Sequence, residues 1–520
     1  MHSHEGPSVA SRAVGAGAWT VGTRLLAKLI DLAMLLCLAR FLGPAEFGLV
    51  AMAMAAVFII EALFDLPTAA ALIRLPELEP DMLHTAFTLS LLRGVVVGLL
   101  LIAVAWPLAA FNNEPRVALL MVVLALAPAM RGLVNPRMVE YARALNFRPD
   151  ALLELSGKVV AFVVAVSIAA ATRSFWAIAA ATVCAPLVST VLSYVIAPIR
   201  PRLRLTHWPQ FSSLIGWNFV SQWFSALNWQ IDRLVLPRVT DAGAFGQYTM
   251  GRQLAEVPSQ VLIQPLVRPV MPTLASAGDA RQSRYLKLSH AIAVVMLPVM
   301  GLPLLWPEPL VRVALGPAWS GAAQWLLWIS AITVIGLPGL LLAPLAMTLD
   351  RTRWLAFRTT VEFLVRLPLV WIGAVHYGIL GAVAASAVAS AVGMVVGLFV
   401  VRHLIATSLA AQLMTLLRPV LAMVPAAGFL WWTKPWVMGA PGLIDLLLRA
   451  VPLGLLYLFI YMLATLVAWQ LAGRPGGLEQ HLVGVVRTRV QKPLSRRART
   501  SGRSRPHPRH PKEAHVEQPH

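Results

Sequence analysis

The chain has 520 residues, of which 58% are hydrophobic and 13% charged, with a mean hydropathy of +0.72. A soluble domain averages about 25% charged residues, and one core could not hide this much apolar surface, so the composition excludes a soluble fold and predicts an all-α polytopic membrane protein. The formal net charge of +20 would ordinarily suit nucleic acid, but the cations fall in short connections and in the tail, where membrane topology accounts for them without a nucleic-acid partner.

A spanning helix needs about 20 apolar residues. In chain order such stretches run over 17–39, 47–73, 86–110, 116–134, 151–171, 174–197, 211–236, 244–270, 285–306, 320–348, 355–376, 378–401, 413–432 and 443–472, about fourteen transmembrane helices. The connections, among them LGPAEFG, RLPELEPD, FNNEP, RPRLRLTHWP and GPAWSG, are short and broken by Gly, Pro or charge. The opening MHSHEGPSVASRAVGAG lacks the pattern of a cleavable signal, so the first span is expected to direct insertion. Cys37 and Cys184 lie in apolar runs and suggest neither a disulfide framework nor a metal site.

The positive-inside rule fixes the sides. With the N-terminus cytoplasmic, the inner loops receive Arg137, Arg143 and Arg148, then Arg200, Arg202 and Arg204, then Arg281, Arg284 and Lys287, then Arg351 and Arg353. The outer loops hold only scattered cations such as Arg116, Arg173, Arg312 and Lys434. An even number of spans returns the C-terminus to the cytoplasm as a basic, Pro- and Ser-rich tail, expected to be disordered.

Sliding the chain against itself by 198 residues aligns Trp19 with Trp217, Arg40 with Arg238, Phe47 with Phe245, Gly48 with Gly246 and Pro67 with Pro265. That offset holds six spans, so the copies share an orientation and form parallel repeats, with a substrate site expected between them. The organisation is then a segment 1–15, six-helix lobes at 16–200 and 201–405, two additional helices within 406–473, and the tail 474–520. The role of the last two helices does not follow from the residues.

An amphipathic first helix followed by ARFLGPAEFGLVAMAM resembles the bacterial polysaccharide flippases, the oligosaccharide-flippase branch of the multidrug/oligosaccharidyl-lipid/polysaccharide exporter superfamily. The second half opens with WNFVSQWFSALNWQIDRLVLPRVTDAGAFGQYTMGRQLAEVPSQ, similar to that branch's Asn- and Asp-bearing helix, short turn and Phe/Tyr-Gly-x-Tyr entry. The resemblance implies a V-shaped, two-lobed transporter of the bacterial cytoplasmic membrane. It further implies a polyprenyl-pyrophosphate-linked oligosaccharide moved to the periplasmic leaflet for surface-polysaccharide biosynthesis, with membrane lipids, a polysaccharide polymerase and other assembly proteins as partners.

Charge inside the spans is the chemical signal, because a charge near the bilayer centre costs roughly 2.5–3.5 kcal/mol even on the lenient scale. Arg24, Lys28 and Asp31 share one face of the first span. Arg93 lies in the third, Glu154 and Lys158 in the fifth, Asn218, Gln222, Ser225 and Asp232 in the seventh, Arg252, Glu256 and Gln260 in the eighth, and Arg358, Glu362 and Arg366 in the eleventh. The i, i+4 pairs Glu154/Lys158, Arg252/Glu256 and Glu362/Arg366 have a bland reading as structural intrahelical ion pairs. Arg93 and Arg358 have one as snorkelling side chains, and Asp232 as a stitch between helix and loop. Arg24 and Lys28 exceed what Asp31 neutralises. An uncompensated buried cation calls for an anion, and a pyrophosphate supplies it through charge-assisted hydrogen bonds.

The candidates for substrate contact are therefore Arg24, Lys28, Arg93, Lys158 and Arg252. Those for polar lining or coupling are Asp31, Glu61, Asp65, Asn218, Gln222, Glu256, Glu362 and Arg366. Trp217, Trp223 and Trp229 could stack on sugars, although Trp is equally common at membrane interfaces.

No Walker-type phosphate loop, HExxH, CxxC or G-x-S-x-G pattern occurs, so neither enzymatic activity nor a cofactor is expected, with H+ or Na+ as the coupling ions open to the chain. A membrane glycosyltransferase would need a larger acidic outer loop. A cation-coupled multidrug exporter, which would use Asp31, Glu61 and Asp65, and a lipid II flippase stay open as alternatives.

Overall fold

The computed structural model describes residues 9–65, 68–74, 78–206, 216–267, 270–476 and 479–480; among them every regular element is a helix. The first half comprises α1 (Val9–Phe41), α2 (Pro44–Leu63), α3 (Thr68–Arg74), α4 (Pro80–Phe111), α5 (Arg116–Leu124), α6 (Leu126–Gly132), α7 (Met138–Arg143), α8 (Arg148–Thr172) and α9 (Trp176–Ile196). The second comprises α10 (Gly216–Val239), α11 (Ala242–Val267), α12 (Val270–Ala275), α13 (Arg281–Leu305), α14 (Pro307–Ala314), α15 (Ala322–Gly336), α16 (Leu342–Thr348) and α17 (Thr352–Ile405). Then follow α18 (Leu409–Met438) and α19 (Leu443–Leu471).

Nine helices among the described residues are long and apolar enough to cross a bilayer. One of them, α17, supplies two passes, because it reverses at Gly378 with φ 61° and ψ −142°, a combination that Gly adopts without a Cβ penalty. Gly373 then faces Gly381, and Glu362 faces Gly393, as antiparallel arms require. The charge-bearing α1, α10 and α11, together with the broken α5–α6 pass, bring the passes to about fourteen.

Three predicted spans are not continuous, and proline is at each break. The stretch 47–73 stops as a helix at Leu63, with Asp65, two residues before Pro67 in sequence, non-helical. The stretch 116–134 bends at Ala125, because Pro128 cannot donate to the Leu124 carbonyl. The stretch 320–348 passes through a 3₁₀ turn at Leu337–Gly339, which contains Pro338.

The halves join at the end that carries the α1–α2 and α10–α11 turns. A Cβ on Gly48 would lie 1.8 Å from the Ala242 carbonyl oxygen, and one on Gly246 would lie 1.8 Å from the Pro44 carbonyl oxygen. Ala242 and Gly246 stand 198 residues beyond Pro44 and Gly48, so the contact is reciprocal, as a two-fold relation between duplicated units demands. Arg40 crosses to the second half and donates to the Val313 carbonyl at 2.6 Å. Its repeat mate Arg238 crosses the other way, 5.8 Å from the Phe111 ring centroid. Trp319 donates to the Ala39 carbonyl at 2.9 Å and meets Phe47 edge-on. Beneath this seal one apolar core unites Leu49, Val50 and Ala53 of α2 with Ile231, Val235 and Leu236 of α10 and Phe245 of α11.

Loop contacts sort the cations by end. Arg116, Arg312 and Lys434 lie at the sealed end, bound to Glu114, the Met438 carbonyl and Glu308. At the opposite end Arg143 donates to the Leu72 carbonyl, Arg137 to the Pro198 carbonyl, Arg204 to Asp81 and Arg284 to the Thr273 carbonyl. The α18–α19 pair clamps onto the second half: Trp306 donates to the Leu430 carbonyl at 2.7 Å and Tyr457 to the Pro298 carbonyl at 2.9 Å.

Candidate functional site

The α1 stripe divides between two neighbours. Asp31 reaches into the first half and pairs with Lys158 of α8. Lys28, one turn earlier, reaches the second half and donates to Gln260 Oε1 of α11 at 3.1 Å. Arg24 is exposed on the same face and has no hydrogen bond or ion pair among the described residues. The spacing of four residues puts Arg24 on the same side of α1 as Lys28, which meets the second half.

Arg93, Asp65 and Glu61 of the first half are neutralised. Arg93 Nε donates to the Phe64 carbonyl at 2.7 Å, and its guanidinium lies 3.3 Å from Asp65, so it is anchored where α2 ends and does not snorkel. Glu61 pairs with Arg131 of α6. Two sequence expectations change. Asp31 neutralises Lys158 instead of Arg24 or Lys28, and Glu154, an exposed side chain, does not form the i, i+4 pair with Lys158. Both follow from packing, since α8 lies against α1 with Lys158 turned inward and Glu154 outward.

In the second half the charges converge. Asp232, only 2% exposed, accepts from Arg252, from Arg366 at 3.0 Å and from the Tyr248 hydroxyl at 3.0 Å. Arg252 also holds Glu256 at 2.8 Å. Arg358 holds Glu362 at 3.2 Å and donates to the Gly393 carbonyl at 3.1 Å. Thus Glu362 pairs with Arg358, and Arg366 pairs with Asp232 of another helix, in place of the expected Glu362/Arg366 pair. Asp232 is no stitch to a loop but the hub of the cluster.

These groups line a cavity of about 460 Å³. Asn228 Oδ1, Ser386 Oγ and Arg366 Nε on its walls lack partners among the described residues, which suits water or a small polar guest. Three arginines and three carboxylates cancel, so this chamber offers no net charge to an anion. The side chains of Asn218, Gln222, Trp217, Trp223 and Trp229 lie outside the described residues. Sequence reasoning left Arg131, Tyr248 and Asp232 out of the site. The only signal for Asp232 was a carboxylate on the polar face of an otherwise apolar helix.

Two related helical halves and a polar interior define the fold. Solved structures share it. "Lipid II flippase MurJ, inward closed conformation" superposes with TM-score 0.67 at 13% identity, covering 86% of this chain and 98% of that one. "Inward-facing conformation of a multidrug resistance MATE family transporter of the MOP superfamily" does so with TM-score 0.53 at 15% identity, covering 74% and 96%.

Residues 37–324 match the family described as polysaccharide biosynthesis protein, and the chain belongs to that family. It is 26% identical over 295 residues to the succinoglycan biosynthesis transport protein ExoT of Rhizobium meliloti (strain 1021), covering 55% of this chain and 59% of that protein. It is 21% identical over 313 residues to the lipopolysaccharide biosynthesis protein WzxC of Escherichia coli (strain K12), covering 56% and 61%. The chain thus spans about three fifths of the length of these relatives.

Proposed function

We propose that the chain flips polyprenyl-pyrophosphate-linked oligosaccharide across the bacterial cytoplasmic membrane for surface-polysaccharide assembly, by alternating access between lobes 16–200 and 201–405. The observation that carries this reading is the pair Arg24 and Lys28, two cations on one face of α1 without a carboxylate partner among the described residues. The Lys28–Gln260 bond joins a charged donor to a neutral amide oxygen, so a charged acceptor in its place adds ion-pair attraction that the amide cannot supply. A pyrophosphate entering the gap therefore displaces Gln260 at a net gain. Arg24 supplies the planar fork that grips two phosphate oxygens.

The cation-rich end faces the cytoplasm by the positive-inside rule, which puts both termini inside and the Gly48–Gly246 seal on the periplasmic side. Transport then requires that seal to part while the cytoplasmic end closes. A ligand bound equally in both states shifts nothing, so the cycle is driven by H+ or Na+ coupling or by consumption of the product outside by a polymerase. Asp31, Glu61 and Asp65 are each tied to a cation, which argues against a drug exporter needing free carboxylates for cationic cargo. In this reading no residue does covalent chemistry.

The test is complementation of a strain lacking its own flippase. The wild-type chain restores surface polysaccharide, while Arg24→Gln/Lys28→Gln fails at equal membrane abundance. Full restoration by the double variant, or raised resistance to cationic dyes without restored polysaccharide, refutes the reading.

A further inference from the structure

A second cavity, of about 450 Å³, lies at the cation-rich end among α13, α18 and the segment after α19, and none of its lining residues belongs to α1. Its size falls in the range of small-ligand sites. Lys287 and Arg418 line it, and Glu479 is its sole carboxylate among the described residues. That carboxylate is already engaged: it accepts from His290 Nε2 at 2.7 Å, while His290 Nδ1 lies 2.8 Å from the Thr415 carbonyl oxygen. Both ring nitrogens thus face oxygen acceptors. Lys287 and Arg418 therefore outnumber the one described carboxylate of the cavity, which His290 already engages.

Among the described residues, Arg418 Nη1 is buried without a hydrogen-bond partner, and Lys287 is exposed with no hydrogen bond or ion pair. Gln282 and Ser283 in the first turn of α13 and Ala411 in the first turn of α18 also line the cavity, so two helix N-termini add positive potential.

The wall of the cavity continues into an apolar track. Met414 lines it and is 62% exposed, and Leu417, Leu421 and Val424 follow at steps of three and four residues along the same face of α18, 47%, 56% and 63% exposed. A cationic pocket at a membrane-interface helix end, opening onto an exposed apolar stripe that runs into the span, has the shape of a headgroup with its acyl chain.

We infer that this cavity binds the phosphate of an anionic phospholipid, with one acyl chain laid along Met414, Leu417, Leu421 and Val424. The lipid seats the α18–α19 pair and the following segment on the second half. No residue of this site belongs to the transport stripe, so the inference stands apart from the proposed cargo.

The test is native mass spectrometry of the full-length, delipidated protein titrated with phosphatidylglycerol, phosphatidylcholine or inorganic phosphate. One phosphatidylglycerol is retained at least about tenfold more tightly than phosphatidylcholine. Lys287→Gln/Arg418→Gln lowers its retention about tenfold, and Arg351→Gln/Arg353→Gln, at the same end but outside the cavity, leaves it unchanged. Lys287 is exposed, so Lys287→Gln alone keeps the test decisive if Arg418→Gln compromises folding.

Met414→Asn, also at an exposed position, weakens the lipid and leaves inorganic phosphate unaffected. Equal binding of the two lipids overturns the inference, as does equal loss from the Arg351/Arg353 pair. Displacement of phosphatidylglycerol by millimolar phosphate with no effect of Met414→Asn overturns it too, and identifies a free-phosphate site.

Discussion

Gly48 and Gly246 occupy equivalent places in the two repeats, and each packs against the backbone that leads into the other's helix, with no room for a Cβ on either. The same pair of residues therefore records the duplication and closes one end of the molecule. Gly48→Val should force the backbones apart and bias the protein away from the sealed state. In a background with Cys37 and Cys184 replaced by Ala, a cysteine at Phe47, which packs against Trp319, should gain reactivity toward a membrane-impermeant maleimide several-fold. Unchanged reactivity would show that the seal does not depend on this contact.

Asp232 is a structural hub before it is anything else. Asp232→Asn leaves Arg252 and Arg366 buried without their shared anion, a change that costs about 3–5 kcal/mol when a buried pair is broken. A fall in thermal stability of the purified protein far larger than that from Glu256→Gln, which removes a single partner of Arg252, is the expected result. Equal, small shifts in both variants would mean that water already shields the cluster.

The segment after α19 carries an acid-sensitive clasp. Burial pushes the Glu479 carboxyl up, but the His290 hydrogen bond and the charges of His290 and Arg418 outweigh it, so the group lies below its ordinary 4.5. A carboxylate depressed in the folded state contributes stability that is fully present above 4.5 and is lost as pH falls through the lowered value. Hydrogen-exchange protection of the amides of Ala472, Gly473, Arg474, Gly476, Glu479 and Gln480, corrected for intrinsic rates, should drop below about pH 4.5 in the wild type. That acid step should vanish in Glu479→Gln; a step that persists in the variant assigns it to another group.

Hydropathy made the passes legible because each must bury its own backbone hydrogen bonds in lipid. The breaks at Ala125 and Leu337–Gly339 were harder to read, since proline is tolerated within many helices here, including Pro186 in α9 and Pro368 in α17. The repeat was legible where packing is tightest, in ARFLGPAEFG against PRVTDAGAFG. The cationic stripe stood out because charge is rare in such spans. Its partners did not: Asp31 and Lys158 are 127 residues apart and Asp232 and Arg366 134, so the i, i+4 rule found neighbours on one helix and missed the pairs that tertiary packing prefers.

The central claim is that Arg24 and Lys28 hold a pyrophosphate between the halves. Equilibrium binding of a polyprenyl pyrophosphate to the purified protein tests it most directly, with the uncharged polyprenol as reference. Wild type should prefer the pyrophosphate, and Arg24→Gln/Lys28→Gln should lose roughly 10- to 100-fold in affinity for it, the value of charge-assisted hydrogen bonds, with the polyprenol unaffected. Undiminished pyrophosphate affinity in the double variant would contradict the account.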